Sequence, residues 1–213
     1  LQRELVNYQL HQMRIGNPPK LFSVVKEVFS EINESNNTIL DIGCTSGYYY
    51  EIINFFFPNK FKYSGCDYNP ESVKLANQYY PEINFFVDDL TNLSINDNQY
   101  DITFLSGVIE HVPEYVKGLN ELCRVTKKYI VLHRIWLQNK KTSCSKGTQF
   151  FVPVIRNHYN KQEFFSILKK NSFILIWESN TYDIDCKTYL LKRVINNTSM
   201  SRRPPPFSRF KLF

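Results

Sequence analysis

An α/β fold, built on a doubly wound and mostly parallel sheet that closes with an antiparallel hairpin, is what this chain of 213 residues predicts. Three observations carry that reading. Short apolar runs alternate with amphipathic stretches through residues 38–133, which calls for parallel strands joined by right-handed helical crossovers. The first run, ILDIG, ends in an acid and breaks into a loop with Gly43 and Gly47, the pattern of a buried strand feeding a ligand-binding turn. The last two strand-like runs, 173–178 and 186–194, are separated only by 179–185. That connection is too short for a helical crossover, so they pair antiparallel.

Residues 1–15 have helical spacing through Leu1, Leu5, Tyr8 and Gln12, ended by Gly16-Asn17-Pro18-Pro19. A second helix is better marked: Leu21, Val24, Val25, Val28, Phe29 and Ile32 form one continuous apolar stripe. Residues 1–35 are thus predicted as an N-terminal helical cover and 36–195 as the main domain. Within the domain come strand 38–42, helix 47–57, strand 63–67, helix 70–80, strand 83–87, strand 100–105, helix 112–125 and strand 129–133. Asn69 is a good N-cap with Pro70 at the first helical position. Residues 137–157 are polar and basic, and are predicted as an irregular insertion of the length that often covers a site. A helix at 160–170 precedes the terminal hairpin, and 196–213 form a basic tail containing Pro204 to Pro206.

The net charge of +6 points away from nucleic acid once it is located. Arg202, Arg203, Arg209 and Lys211 lie in the last thirteen residues, and the remainder carries only +2. No apolar run approaches the ~18 to 20 residues that span a bilayer. Cys44, Cys66, Cys123, Cys144 and Cys186 contain no C-x-x-C pair, so buried thiols in a reducing cytoplasm are expected rather than disulfides or zinc.

The glycine loop discriminates between cofactors. A dinucleotide fingerprint would need glycines where Thr45 and Tyr48 stand. The run ILDIGCTSGYY instead resembles motif I, D-x-G-x-G-x-G, of class I S-adenosylmethionine-dependent methyltransferases. Asp41, Gly43 and Gly47 match, and Thr45 occupies the middle glycine position, although a β-branched residue resists positive φ. YSGCDYNPESVKLANQYY, INFFVDDLTNLSI and YDITFLSGVIEHVP resemble the next three motifs in order, and the four cover about half the chain. The resemblance implies a Rossmann-like methyltransferase fold with seven strands in the order 3-2-1-4-5-7-6, and S-adenosylmethionine as cofactor. It assigns cofactor contacts to Asp41, Gly43, Cys44, Thr45 and Gly47, and to Asp67 and Tyr68 beside the ribose. Asp88, Asp89 and Leu90 would meet the adenine, with Ser106 and Gly107 beside the methyl group.

A sulfonium methyl needs little activation, so positioning dominates; a hydroxyl acceptor would also need a base, for which histidine is best suited. His111, His133 and His158 are the candidates. A related run, E-x-x-E-H, binds a divalent ion in some quinone-pathway methyltransferases, but Gly107 stands at its first glutamate, so no metal is expected beside Glu110 and His111. Tyr48, Tyr49, Tyr50, Trp136, Phe150 and Phe151 are candidate pocket aromatics, and Lys140, Lys141, Lys146 and Arg156 would suit an anionic acceptor. The expected function is O-methylation of a sugar or other secondary metabolite. The rivals are an RNA or protein methyltransferase and a catalytically silent cofactor-binding protein. No N-P-P-Y-type motif follows strand four, which counts against exocyclic base amines.

Overall fold

The computed structural model describes residues 2–149, 152–182 and 186–194. The basic tail, Phe150 and Phe151 lie outside the described residues. Helices α1 (Gln2–Arg14) and α2 (Lys20–Ser30) lead into β1 (Asn37–Ile42), α3 (Tyr48–Phe56), β2 (Phe61–Asp67), α4 (Pro70–Tyr79), β3 (Asn84–Val87) and β4 (Tyr100–Ser106). A 3-10 turn (Ile109–His111), α5 (Tyr115–Val125), β5 (Thr126–Gln138), β6 (Ser143–Gln149), β7 (Val152–Asn160), α6 (Lys161–Lys170), β8 (Phe173–Asn180) and β9 (Cys186–Arg193) complete the chain. β3, β2, β1, β4 and β5 are parallel neighbours in that order; β9 then pairs antiparallel with β5, and β8 with β9. With β8 as the sixth and β9 as the seventh strand of the predicted scheme, this is the expected order and the expected hairpin.

The sheet is buried on both faces, which is why its central strands read as apolar runs. Alternate residues divide between two cores. Ile39, Phe104 and Val131 face α1 to α4, while Leu40, Leu105 and Leu132 face α5 and α6. Every residue of the predicted α2 stripe is buried. α2 therefore packs as a layer of this core. In α1 the predicted stripe is wrong: Leu5 and Tyr8 are exposed, and Val6, Leu10 and Met13 form the buried face. Both stripes satisfy a helical period, and the one with the more continuous apolar surface docks.

Two other boundaries move for local reasons. α5 begins at Tyr115 rather than 112, because Pro113 forces Val112 into an extended conformation (ψ 111°) and the chain makes only a 3-10 turn before it. The predicted irregular insertion at 137–157 is ordered. β5 runs on to Gln138, and β6 and β7 form an antiparallel hairpin whose return strand joins the end of β5 through Leu137↔Tyr159 and Gln138↔Asn160. Polar residues conceal these strands because the hairpin is mostly solvated. Its anchor is the buried Tyr159, whose hydroxyl donates to the Ile109 carbonyl at 2.7 Å. Cys44, Cys66, Cys123 and Cys186 are buried as expected, but Cys144 is exposed on this hairpin.

Candidate functional site

The parallel strands carry their carboxyl ends to one edge, and the order turns outward in both directions from β1 and β4, the place where open α/β sheets bind ligands. Four motif segments meet there. Leaving β1, the chain turns at Gly43 (φ 76°), and the Gly43 and Cys44 amides both donate to the Cys66 carbonyl at 2.7 and 3.0 Å. A Cβ on Gly43 would sit 2.3 Å from Val108 Cγ2, so glycine is needed both for the backbone and for the approach of the loop after β4. Gly47, at φ 73°, starts α3. Thr45 takes φ 48° despite its β-branch, and its amide donates to Asp67 Oδ2 at 2.9 Å. A charge-assisted bond of about 1.5–3 kcal/mol offsets a left-handed backbone cost of about 1–2 kcal/mol.

Asp67 is nearly buried, and its other oxygen accepts the Asn69 amide at 2.9 Å. Each oxygen keeps a lone pair, so the carboxylate can still accept two ribose hydroxyls. Tyr68 beside it is 78% exposed, an aromatic face open to a ligand. After β3, Asp88 accepts the Asp89 and Ser94 amides, and Asp89 accepts the Thr91 amide and hydroxyl. Both acids thereby shape the turn, and Leu90 plugs its side chain into the core against Gly118. Asp41 differs from its neighbours. It is buried, receives the Tyr63 hydroxyl, and burial pushes its carboxyl up to about 7, with the nearby Asp67 charge adding to the rise.

Ser106 ends β4 and donates to the Tyr49 hydroxyl at 2.8 Å. The three histidines part company here. His111 is half-buried on the 3-10 turn; because the Ile155 carbonyl can only accept, Nδ1 is the donor in the 2.8 Å bond between them. His133 is wholly buried: it stacks on Phe104, bonds Thr188 Oγ1 through Nδ1 at 2.7 Å, and burial holds its basicity well below the usual range. His158 lies on the hairpin, 3.0 Å from Ser145 Oγ. Of the predicted aromatics, Tyr48 and Tyr49 face the site, Tyr50 packs on Tyr63 and Tyr80, and Trp136 pairs with Cys186 along β5. Lys146 lies on β6, and Lys140 and Lys141 at the tip of the turn before it.

Sequence reasoning passed over Arg3 and Arg134 and weighed Glu110 only as a metal ligand. Arg3 of α1 donates to Ser46 Oγ in the glycine loop and lies over the Tyr79 ring at 3.7 Å. Glu110 is buried, with Oε2 lacking a partner among the described residues. Arg134 lies beside Gly107 and Tyr49. Its sequence signal is an arginine, with His133, interrupting the apolar run YIVLHRIWL.

The glycine turn that a Cβ would fill, together with the paired carboxylates at the ends of β1 and β2, fits an adenosyl cofactor carrying a cationic amino-acid end. The fold and this crevice define a class I methyltransferase architecture. Comparison with known proteins agrees: residues 40–131 match the family described as "Methyltransferase domain". Residues 40–131, a little under half of the chain, are thus similar to a methyltransferase domain, on a Rossmann-like methyltransferase fold. It is 37% identical over 62 residues to a demethylmenaquinone methyltransferase of Paenarthrobacter aurescens, a match covering 29% of this chain and 24% of that protein. To a malonyl-[acyl-carrier protein] O-methyltransferase of Ilyobacter polytropus it is 27% identical over 99 residues, 45% of this chain and 36% of the relative. These matches thus span about a quarter and a third of the two relatives' lengths. In fold it is similar to the magnesium protoporphyrin IX methyltransferase of Synechocystis solved with bound S-adenosylmethionine (TM-score 0.61, 17% identity, 89% of this chain and 84% of that one). No helix among the described residues is long and apolar enough to cross a membrane.

Proposed function

We propose that this protein transfers the methyl group of S-adenosylmethionine to an oxygen of a small-molecule acceptor. The observation that supports this best is the convergence of Asp41, Asp67, Asp88 and Ser106 at or just past the carboxyl ends of four adjoining parallel strands, around the Gly43–Gly47 turn. The names of the two curated relatives favour a small or carrier-borne acceptor over nucleic acid or protein. When bound, the cofactor supplies an electrophilic methyl on a sulfonium. Asp67 and the loop of Gly43, Cys44, Thr45 and Gly47 would hold its ribose and amino-acid end; Tyr68, Asp88, Asp89 and Leu90 its adenine; Ser106 and Gly107 would flank the methyl. The chain's main task is then to align an acceptor oxygen, a contribution of roughly 7–11 kcal/mol. For a hydroxyl acceptor, His111 is the histidine whose geometry suits a base, with one nitrogen tied to the Ile155 carbonyl and the other left to take a proton.

Calorimetry tests the cofactor half. Wild type binds S-adenosylmethionine, and Asp67→Ala weakens binding by about 100-fold, the loss of two bonds to a charged group. No binding by wild type would sink the reading. Binding without label transfer to any acceptor would favour a silent cofactor-binding protein. Activity is expected to survive chelation by EDTA; loss that magnesium restores would establish a metal requirement.

A further inference from the structure

Opposite β9, strand β5 carries a bulge: Leu132 pairs with Tyr189 and Ile135 with Lys187, so His133 and Arg134 together face one residue, Thr188. Arg134 sits at φ 60°, a conformation that residues with a Cβ avoid and that persists where surroundings enforce it. Bulges re-aim side chains and gather beside active sites. This one turns the guanidinium onto the loop after β4, where a Cβ on Gly107 would lie 3.0 Å from Nη2 and 3.2 Å from Cζ. The Tyr49 hydroxyl, which receives Ser106 Oγ, and the Tyr48 and Tyr182 rings are near neighbours of the guanidinium. Those neighbours are phenols rather than carboxylates. Glu110, buried and with Oε2 unpartnered among the described residues, lies within electrostatic reach of Arg134, Arg156 and His111. Around Glu110, two guanidiniums thus meet one carboxylate, on the β4–β5 side of the edge where a cationic sulfonium must also fit.

We propose that Arg134 is the acceptor-binding residue of this site, that it receives a carboxylate of the acceptor, and that an oxygen of this carboxylate is the atom methylated. The inference rests on the methyl-transfer reading above and adds the substrate class. A carboxylate between guanidinium and sulfonium is attracted by both, and the planar fork of an arginine matches its two oxygens. The guanidinium lies against Gly107, directly after Ser106 at the end of β4, so the anion it holds is at the reacting centre rather than at a remote end of the acceptor. The chemistry balances without a base. A carboxylate oxygen forms the new O–C bond with one of its lone pairs, the C–S bond breaks, and its electrons neutralise the sulfonium to the thioether of S-adenosylhomocysteine. The products are a neutral methyl ester and a neutral sulfide centre, with no proton released.

The test uses methyl-labelled S-adenosylmethionine with octanoate, benzoate and glutarate, against octanamide, benzyl alcohol and glucose. Wild type is expected to label only the acids, and mild alkali should release that label as methanol, which separates esters from ethers. R134Q should lower kcat/KM for the acids by about 100-fold while affinity for S-adenosylmethionine stays within about threefold, and R134K should lose about tenfold because a point charge lacks the fork. If R134Q does not fold, R134K carries the comparison. Label on neutral acceptors alone, alkali-stable label, or undiminished acid turnover in these variants would overturn the proposal. If no compound is labelled, the same acids are titrated into protein saturated with S-adenosylhomocysteine. Binding by wild type that R134Q loses upholds the proposal; absent or unchanged binding overturns it. Failure of the methyl-transfer reading shows separately, as wild type that does not bind S-adenosylmethionine.

Discussion

The two sides of the sheet's functional edge are built from contacts of different range. Around β1 to β3, backbone amides hold the acids over short sequence separations. Thr45 and Asp67 are 22 residues apart, Asn69 and Asp67 two, Ser94 and Asp88 six. On the side of β4, β5 and the β6–β7 hairpin, side chains reach across the chain. Ser106 meets Tyr49 over 57 residues, Tyr159 meets Ile109 over 50, and His111 meets Ile155 over 44. The first kind of contact leaves a motif; the second leaves only single residues of unremarkable type. A cofactor common to many proteins can be held by the first, whereas an acceptor pocket has to be shaped by the second.

If the cofactor side is fixed locally, perturbing its short-range contacts should have large effects. Asp41 gives the largest. Its folded-state carboxyl is raised from 3.8 to about 7, so its contribution to stability is fully present below pH 4 and is lost as pH rises toward 7. The total is about 4 kcal/mol. Asp41→Asn keeps an oxygen for the Tyr63 hydroxyl and removes the ionisation. Urea unfolding at pH 4 and pH 8 should then show the variant level with wild type at the lower pH and more stable at the higher. An identical pH dependence for both proteins would refute the buried-acid account. Gly43→Ala comes next, combining left-handed strain with the Val108 contact for about 3 kcal/mol of destabilisation. Chemical denaturation measures it, and a loss under 1 kcal/mol would mean that the loops do not meet as closely as the geometry requires.

The same division explains what was legible in the sequence. Strand order, the terminal hairpin, the Asn69 cap and the α2 stripe follow from periodicity, connection length and turn chemistry, all local rules. The α1 face was misread because Leu5 and Tyr8 match the helical period as well as Val6, Leu10 and Met13 do, and only docking decides between them. The β6–β7 hairpin was missed because a solvated ladder of Ser, Lys, Thr and Asn has no apolar alternation to announce it. Arg134 was missed because its importance comes from a bulge, and a bulge in β5 is defined by register with β9, more than 50 residues later.

The long-range side predicts smaller, local effects. Tyr159→Phe deprives the Ile109 carbonyl of its buried donor, at a cost of about 2 kcal/mol. Because β7 otherwise meets the main sheet at only two register pairs, the loss should appear as faster amide exchange, about 30-fold, across β6 and β7 and the 109–111 turn. Unchanged exchange there, with a lowered global stability, would show the hairpin to be as integral as β1.

Thr45→Gly is the finest probe of the cofactor side. Glycine removes a left-handed penalty of about 1–2 kcal/mol but adds chain entropy to the unfolded state, about 0.5–1 kcal/mol, so a net gain of roughly 0.5–1 kcal/mol remains. For a chain of this length that is a rise in Tm of about 2 °C, with cofactor affinity unchanged because the amide bond to Asp67 stays. A fall in Tm would mean that the threonine side chain makes a contact worth more than the strain it imposes. The loop's conformation would then be held by a side chain as well as by its backbone, and the contrast between the two sides would be one of degree.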